Sequence, residues 1–275
     1  MRYAILSILL CVVSGKQMFS AYYGAYFDQS VSNSFSSIYD RNLTVNSVIL
    51  AFGSPYGSFL TLDFATKYVT QDNLSSTIYK LQSRGTKVGL SIMDTSTSNW
   101  NQIDLSLFAR SVANKVNEMG LDFIDIDAES SMRQVDYIPC FITLIKELHQ
   151  ALPENVTLYY TCYGTGELDK QILLSVGSYI SYVQLMVYSG SYESMNASFS
   201  FYAEFVNPAQ ILVGVSCDVM DLTSLQNVAN FTCFNHNSKG GVMLWNLAQD
   251  NQGQTGSVSW LWTDTVVKYL DGKSC

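Results

Sequence analysis

Apolar residues along this chain follow two alternating patterns. Short runs rich in β-branched and aromatic residues recur at 22–27, 47–52, 87–93, 123–127, 157–160, 182–188, 210–215 and 241–245, and they predict eight strands. Between them apolar residues return every three or four positions, which predicts helices over 73–84, 103–119, 135–152, 167–178, 199–206, 222–234 and 257–270. In the third of these, Ile138, Phe141, Ile142, Ile145 and Leu148 form one apolar stripe. Eight strands alternating with helices ask for a parallel sheet under helical cover, and the predicted architecture is a single α/β domain, a (β/α)8 or TIM barrel. A doubly wound sheet would carry a Gly-rich phosphate loop after its first strand, and Tyr23-Gly24-Ala25-Tyr26 does not resemble one. No internal repeat, low-complexity tract or Pro-rich linker divides the chain.

The first residues read as an address. Met1-Arg2-Tyr3 is a short basic start, residues 4–13 are apolar or small, and Val13-Ser14-Gly15 offers small residues to a signal peptidase. The run is shorter than the roughly 20 residues that cross a bilayer, so residues 1–15 are predicted to be a cleaved signal peptide and 16–275 the catalytic domain. No later window spans a membrane, and residues 269–275 carry neither a lipid-anchor tail nor an ER-retrieval signal. Glycosylation sequons at Asn42, Asn73, Asn155, Asn196 and Asn230 agree with export. The predicted location is extracellular, or the lumen of the secretory or endolysosomal pathway. Loss of the leader removes Cys11 and leaves Cys140, Cys162, Cys217, Cys233 and Cys275, enough for at most two disulfides within one chain; the short intervening stretch favours Cys217 with Cys233.

Composition narrows the function. With 48% hydrophobic and 14% charged residues the chain can bury a core, which excludes a disordered protein. Its net charge of −8 lacks the basic face that neutralises phosphates, so no nucleic-acid partner is expected. Only His149 and His236 are available for a His-rich metal cluster or a Ser-His-Asp triad. Any chemistry is predicted to run on carboxylates and tyrosines.

The segment Asp122-Phe123-Ile124-Asp125-Ile126-Asp127-Ala128-Glu129 carries the most information. On a strand, Asp125, Asp127 and Glu129 share one face while Ile124, Ile126 and Ala128 take the other. In a barrel the isoleucines pack beneath helices and the acids point inward and up to the C-terminal mouth, where active sites of this fold lie. Neighbouring carboxylates about 6 to 7 Å apart in a partly dry site raise one another's pKa, which suits a group that must hold and deliver a proton. A merely structural ladder and a divalent cation site built from the same oxygens are the alternatives.

At these residues the sequence resembles glycoside hydrolase family 18, the chitinases and endo-β-N-acetylglucosaminidases, whose fourth-strand signature is Asp-Gly-x-Asp-x-Asp-x-Glu. Asp122, Asp125, Asp127 and Glu129 match it, with Phe123 in place of the glycine. Gln184-Leu185-Met186-Val187-Tyr188 and Gly241-Val242-Met243-Leu244-Trp245 resemble the family's sixth and eighth strands, and Tyr22 and Phe52 match aromatic positions on the first two. The resemblance implies a retaining, substrate-assisted reaction, an exception to the two-carboxylate scheme. In it Glu129 is the acid and base, Asp127 orients the substrate's acetamido group, Asp125 supports Asp127, and Tyr188 bonds the acetamido oxygen. Trp245, Tyr22, Phe52, Met186 and Gln184 are the implied substrate-binding residues. Neither metal nor cofactor is required. Three positions depart from the pattern: Met93-Asp94 on the third strand, Ser189 after Tyr188, and the bulky Phe123.

Residues 217–241 leave no room for the small α+β domain that some members insert between the last two strands, so the cleft is expected to be shallow and open. The expected protein is a secreted hydrolase of β-1,4-linked N-acetylglucosamine polymers, monomeric, without a membrane anchor, whose partner is a carbohydrate. An endo-β-N-acetylglucosaminidase acting on the chitobiose core of N-glycans and a non-catalytic lectin are the competing readings.

Overall fold

The computed structural model describes residues 17–25, 44–67, 71–93, 98–129, 134–163, 165–252 and 259–275. The apolar runs become strands buried on both faces, as a parallel barrel demands when helices cover the outside and side chains fill the interior. They are β1 (Met18–Gly24), β2 (Ser47–Tyr56), β4 (Lys87–Ile92), β5 (Phe123–Ala128), β6 (Thr157–Tyr163), β7 (Ile180–Met186), β8 (Ile211–Ser216) and β9 (Gly241–Trp245), with a short β3 (Phe59–Thr61) between the second and third of these. The eight long strands pair in parallel round the ring, and β1 closes it by pairing with both β2 and β9.

Around the ring lie α1 (Gln71–Ser83), α2 (Leu105–Met119), α3 (Ile138–Ala151), α4 (Glu167–Val176), α5 (Tyr192–Ala203), α6 (Leu225–Cys233), α7 (Leu247–Gln252) and α8 (Leu261–Leu270). α2 shows why such helices form where they do. The Asp104 side chain caps its first turn by accepting from Leu107 N at 2.9 Å, Phe108, Val112 and Val116 make its buried stripe, and Gly120 ends it in the left-handed region at φ 65°. In α3 the stripe is Ile138, Phe141, Leu144, Ile145 and Leu148, and Ile142 sits at its edge.

Several boundaries differ from the sequence pattern. β1 begins at Met18, because Ser20 faces the interior and bonds Ser47 Oγ at 2.9 Å, which interrupts the apolar run without interrupting the strand. β2 runs on to Tyr56, turns at Gly57 and returns antiparallel as β3. Bonds from Leu60 N to Ser111 Oγ (2.9 Å) and from Asp104 N to Ser58 Oγ (2.8 Å) tie that hairpin to α2 and the residue that caps it. The helix predicted to start at 199 starts at Tyr192, where the Ser191 side chain accepts from Ser194 N.

The disulfide joins Cys233 to Cys275, which corrects the pairing of Cys217 with Cys233. Proximity in sequence misleads here because β8 runs up to Cys217 at the mouth and α6 runs back down, leaving Cys233 at the opposite end. Cys217 is buried at the mouth with its thiol on Asn246 O at 3.2 Å.

Between β8 and β9 the chain holds a loop, α6 and a turn, so the barrel has no inserted domain. Among the described residues no helix is long and apolar enough to cross a membrane. The predicted leader, Cys11, Asn42, Asp94, and the predicted strand residues Tyr26 and Phe27 lie outside the described residues. Asn73, Asn155 and Asn196 are exposed.

Candidate active site

β5 alternates as its sequence requires. Ile124 and Ile126 enter the layer between sheet and helices, while Phe123 joins Tyr22, Tyr159, Met186, Leu212 and Met243 in a second core inside the barrel. The Phe123 ring lies flat on Tyr159, with centroids 4.2 Å apart at 15°. Its bulk is accommodated from the neighbouring strand: Gly89 pairs with Phe123, and a Cβ there would collide with the ring.

Above Phe123, Asp125 is fully buried and four strands aim side chains at it. Tyr22 Oη donates to Oδ2 at 2.7 Å and Ser91 Oγ to the same oxygen at 2.6 Å. Thr161 Oγ1 and Gln184 Nε2 approach Oδ1 at 2.9 and 3.3 Å. Burial pushes the Asp125 carboxyl above its ordinary pKa against the opposing pull of these donors. Gln184 is itself fully buried and bonds Thr161 Oγ1 at 2.9 Å; it sits under the site as a strut for Asp125.

One step further up, a hollow of about 260 Å³ opens at the C-terminal mouth. Asp127, Glu129, Tyr188, Trp245, Tyr22, Phe52 and Met186 all line it. Phe52 stacks on Trp245 with centroids 5.7 Å apart at 21°, and Tyr22 meets the edge of Trp245 at 5.6 Å, so one wall is a continuous aromatic surface. The Tyr188 hydroxyl is turned to Met243 Sδ at 3.7 Å, a weak acceptor. Burial first, then the negative charges of Asp127 and Glu129, hold the Tyr188 phenol well above its ordinary pKa, so it remains a donor. Burial followed by Asp125 and Asp127 does the same to Tyr22.

Of the residues expected to act in catalysis or substrate binding, Asp125 and Gln184 lie beneath the hollow instead of on its wall. Asp122, of the same motif as Asp125, sits at the start of the strand with its Oδ2 accepting from Gln82 Nε2 at 2.9 Å and Val88 N at 2.8 Å. The sequence reading overlooked Thr161, which with Ser91 holds Asp125, and it took Met93 only as a departure from the family pattern; Met93 and the overlooked Tyr163, Asp218, Met220 and Asp221 complete the lining. Each of the five lining residues stands at or just beyond the C-terminal end of a strand, the position that this architecture reserves for function. Among the described residues no group of three His, Cys, Asp or Glu side chains is arranged to hold a metal ion.

Fold and site together are those of a chitinase-like glycosidase of glycoside hydrolase family 18. Residues 58–242 match the model of the endo-β-N-acetylglucosaminidase EndoS TIM-barrel domain, and the chain belongs to that family. The solved structures give the same fold. A family 18 chitinase from Pseudoalteromonas aurantia superposes with a TM-score of 0.72 at 20% identity, covering 91% of this chain and 99% of that one. A chitinase from Bacteroides thetaiotaomicron gives 0.76 at 15% identity over 94% and 98%, and a fungal endo-β-N-acetylglucosaminidase of family 18 gives 0.73 at 15% over 92% and 97%. None of the curated proteins matches the sequence.

Proposed function

We infer that the protein is a secreted, retaining hydrolase that cleaves the β-1,4 bond following an N-acetylglucosamine unit, in chitin or its oligomers, with the carbonyl oxygen of the substrate's own acetamido group as nucleophile. The observation that carries this is the gathering of Asp127, Glu129, Tyr188 and Trp245 on one hollow at the mouth of the barrel. The sugar ring lies on the Trp245 face, where aromatic surface replaces water. Glu129, at the open rim, protonates the departing glycosidic oxygen. As that bond breaks, the acetamido oxygen closes on the anomeric carbon, Asp127 holds the acetamido N–H, and Tyr188 exchanges its weak sulfur acceptor for the acetamido oxygen. Glu129 then takes a proton from the incoming water, which opens the intermediate with retention. Asp125 and Gln184 act through Asp127 as positioning residues.

The barrel begins at Gln17 and Met18, both buried, so removal of a leader at residue 15 leaves every described strand intact. That agrees with residues 1–15 as a signal peptide, 16–275 as the catalytic domain, and action outside the cell or in a luminal compartment.

A second reading keeps the same chemistry and changes the substrate to the chitobiose core of N-glycans; the match to an endo-β-N-acetylglucosaminidase domain favours it. Incubating wild type and Glu129→Gln with chitooligosaccharides and, separately, with a high-mannose glycoprotein decides between them. Wild type is expected to cut the oligosaccharides, and Glu129→Gln to be about 100- to 10,000-fold slower, as for loss of a general acid. Cleavage of the glycoprotein alone transfers the conclusion to the second reading. Binding without cleavage of either makes the protein a lectin, and an undiminished mutant rejects Glu129 as the acid.

A further inference from the structure

β7 and β8 pair as far as Leu185 and Val213, and above that level the two strands part. Gly214 marks the place: a Cβ there would collide with Leu185 O and with the Tyr188 ring, so the ring edge takes the space of a β8 side chain. Tyr188 itself lies two residues beyond the end of β7, outside the ladder, and its hydroxyl meets the weak Met243 Sδ acceptor. Neither strand pairing nor a strong bond at the phenol therefore sets where the ring points.

Thr223 enters the gap between the strands. It returns from the loop after β8, is 1% exposed, and forms a closed pair of bonds with Ser216, its N donating to Ser216 O at 2.7 Å and its Oγ1 accepting from Ser216 N at 2.9 Å. The same Oγ1 gives its hydrogen to Tyr188 O at 2.5 Å. A hydroxyl can accept from one strand and donate to the segment after the other because it carries both a hydrogen and lone pairs. Thr223 is in turn held from outside the barrel. Its carbonyl accepts from Trp262 Nε1 at 3.0 Å, Asp250 accepts from the Trp262 and Thr263 backbone at 3.1 and 2.8 Å at the start of α8, and the next residue, Ser224, caps α6.

We propose that Thr223 is a positioning residue for the reaction, its hydroxyl fixing the Tyr188 backbone so that the phenol faces the acetamido oxygen of the substrate. This rests on the hydrolase reading above. The acetamido oxygen is the nucleophile there, and Tyr188 holds it at the angle from which it closes on the anomeric carbon. A misplacement of reacting atoms on the order of 1 Å is felt in the rate of bond breaking more than in binding.

The test is a double-mutant cycle of Thr223→Val with Tyr188→Phe, read as kcat and KM on whichever of chitooligosaccharides and high-mannose glycoprotein the wild type cuts, together with crystal structures of wild type and Thr223→Val. Valine keeps the shape of Thr223 and removes its hydroxyl. It is expected to lower kcat about tenfold and to leave KM within about twofold, and Thr223→Ser, which retains the hydroxyl, should recover most of the loss. In the Tyr188→Phe background the same substitution should cost less than about twofold, because the group it positions is already gone. A merely structural role would instead lower the active fraction, and with it kcat, by the same factor in both backgrounds. Should Thr223→Val not fold, Trp262→Phe removes the bond to the Thr223 carbonyl and should give a smaller loss that likewise disappears with Tyr188→Phe. Equal factors in the two backgrounds, or a serine variant as slow as the valine variant, overturn the proposal. If wild type cuts neither substrate, the hydrolase reading fails and the crystal structures decide this one separately: Tyr188 should move in Thr223→Val while Trp245 stays, and an unmoved Tyr188 overturns it.

Discussion

Around Asp125, hydrogen-bond distances join Tyr22 Oη, Ser91 Oγ and Thr161 Oγ1 to the carboxyl group, and a further 2.8 Å contact joins Tyr22 Oη to Thr161 Oγ1. Three hydroxyl groups supply three protons to these four contacts. The Gln184 amide adds N–H groups of its own but only along its own bonds. A proton on Asp125 would complete the four contacts, and burial raises the pKa of that carboxyl against the pull of its donors. A raised carboxyl pKa makes its stability contribution fully present below the unfolded value near 3.8 and lost as pH rises through the folded value. Asp125→Asn keeps a donor in the same place and cannot titrate. Its stability relative to wild type, from urea midpoints, is thus expected to improve as pH rises above about 4; a gap that does not change with pH would count against a raised Asp125 pKa. Tyr188 gives a kinetic prediction at the same scale. Because its resting partner is only a thioether, Tyr188→Phe should leave the unfolding midpoint near that of wild type and lower kcat on chitooligosaccharides by about 10- to 100-fold, the value of one hydrogen bond to a developing charge.

Pairing of elements explains why Phe123 is tolerated in the ladder strand. β4 contributes Gly89 directly opposite it, so the ring occupies space that any Cβ would take. Gly89→Ala is expected to cost about 1 to 3 kcal/mol through overpacking, and Phe123→Leu in the same chain to recover part of that loss. Additive costs in a double-mutant cycle by chemical denaturation would count against direct contact. This compensation was hard to read in the sequence, because Gly89 and Phe123 belong to different runs and only the register brings them together. The strands themselves are legible, since both faces of a parallel barrel are buried and leave continuous apolar runs. β3 and α7, three and six residues long, are too short to display a period. Within the site, Glu129, Asp127, Tyr188 and Trp245 are legible because they occupy strands or their ends in a recognisable pattern. Asp218 and Asp221 sit on a loop, which has no period to reveal which side chains turn inward.

At the scale of the whole molecule the two ends of the barrel differ in chemistry. The mouth gathers acids, while the opposite end is closed by Gly241, Gln17 and Lys239. Gly241, at φ 152°, lies against the Met18 backbone where no side chain fits, which lets β1 and β9 complete the ring. Beside it Lys239 is buried, its Nζ bonded to Gln17 Oε1 at 2.9 Å and Thr232 O at 2.6 Å, and Gln17 Nε2 donates in turn to His236 O. The Cys233–Cys275 disulfide lies one residue beyond Thr232 in the chain. A neutral amine has two hydrogens for these two acceptors, and burial lowers the Lys239 pKa from 10.5 to about 7. Below the folded value both folded and unfolded chains carry the proton, and the folded one bears the full penalty of a buried charge. Between about 7 and 10.5 the unfolded chain binds a proton that the folded chain does not, so this residue makes stability rise with pH. Lys239→Met fills a similar volume without a charge. In urea denaturation the gap between wild type and this variant should shift in favour of wild type by about 2 to 3 kcal/mol from pH 7 to pH 9, following 1.36 kcal/mol per pH unit. A gap that stays constant over that range would mean that Lys239 remains charged in the folded barrel, held as an ammonium by Gln17 and Thr232.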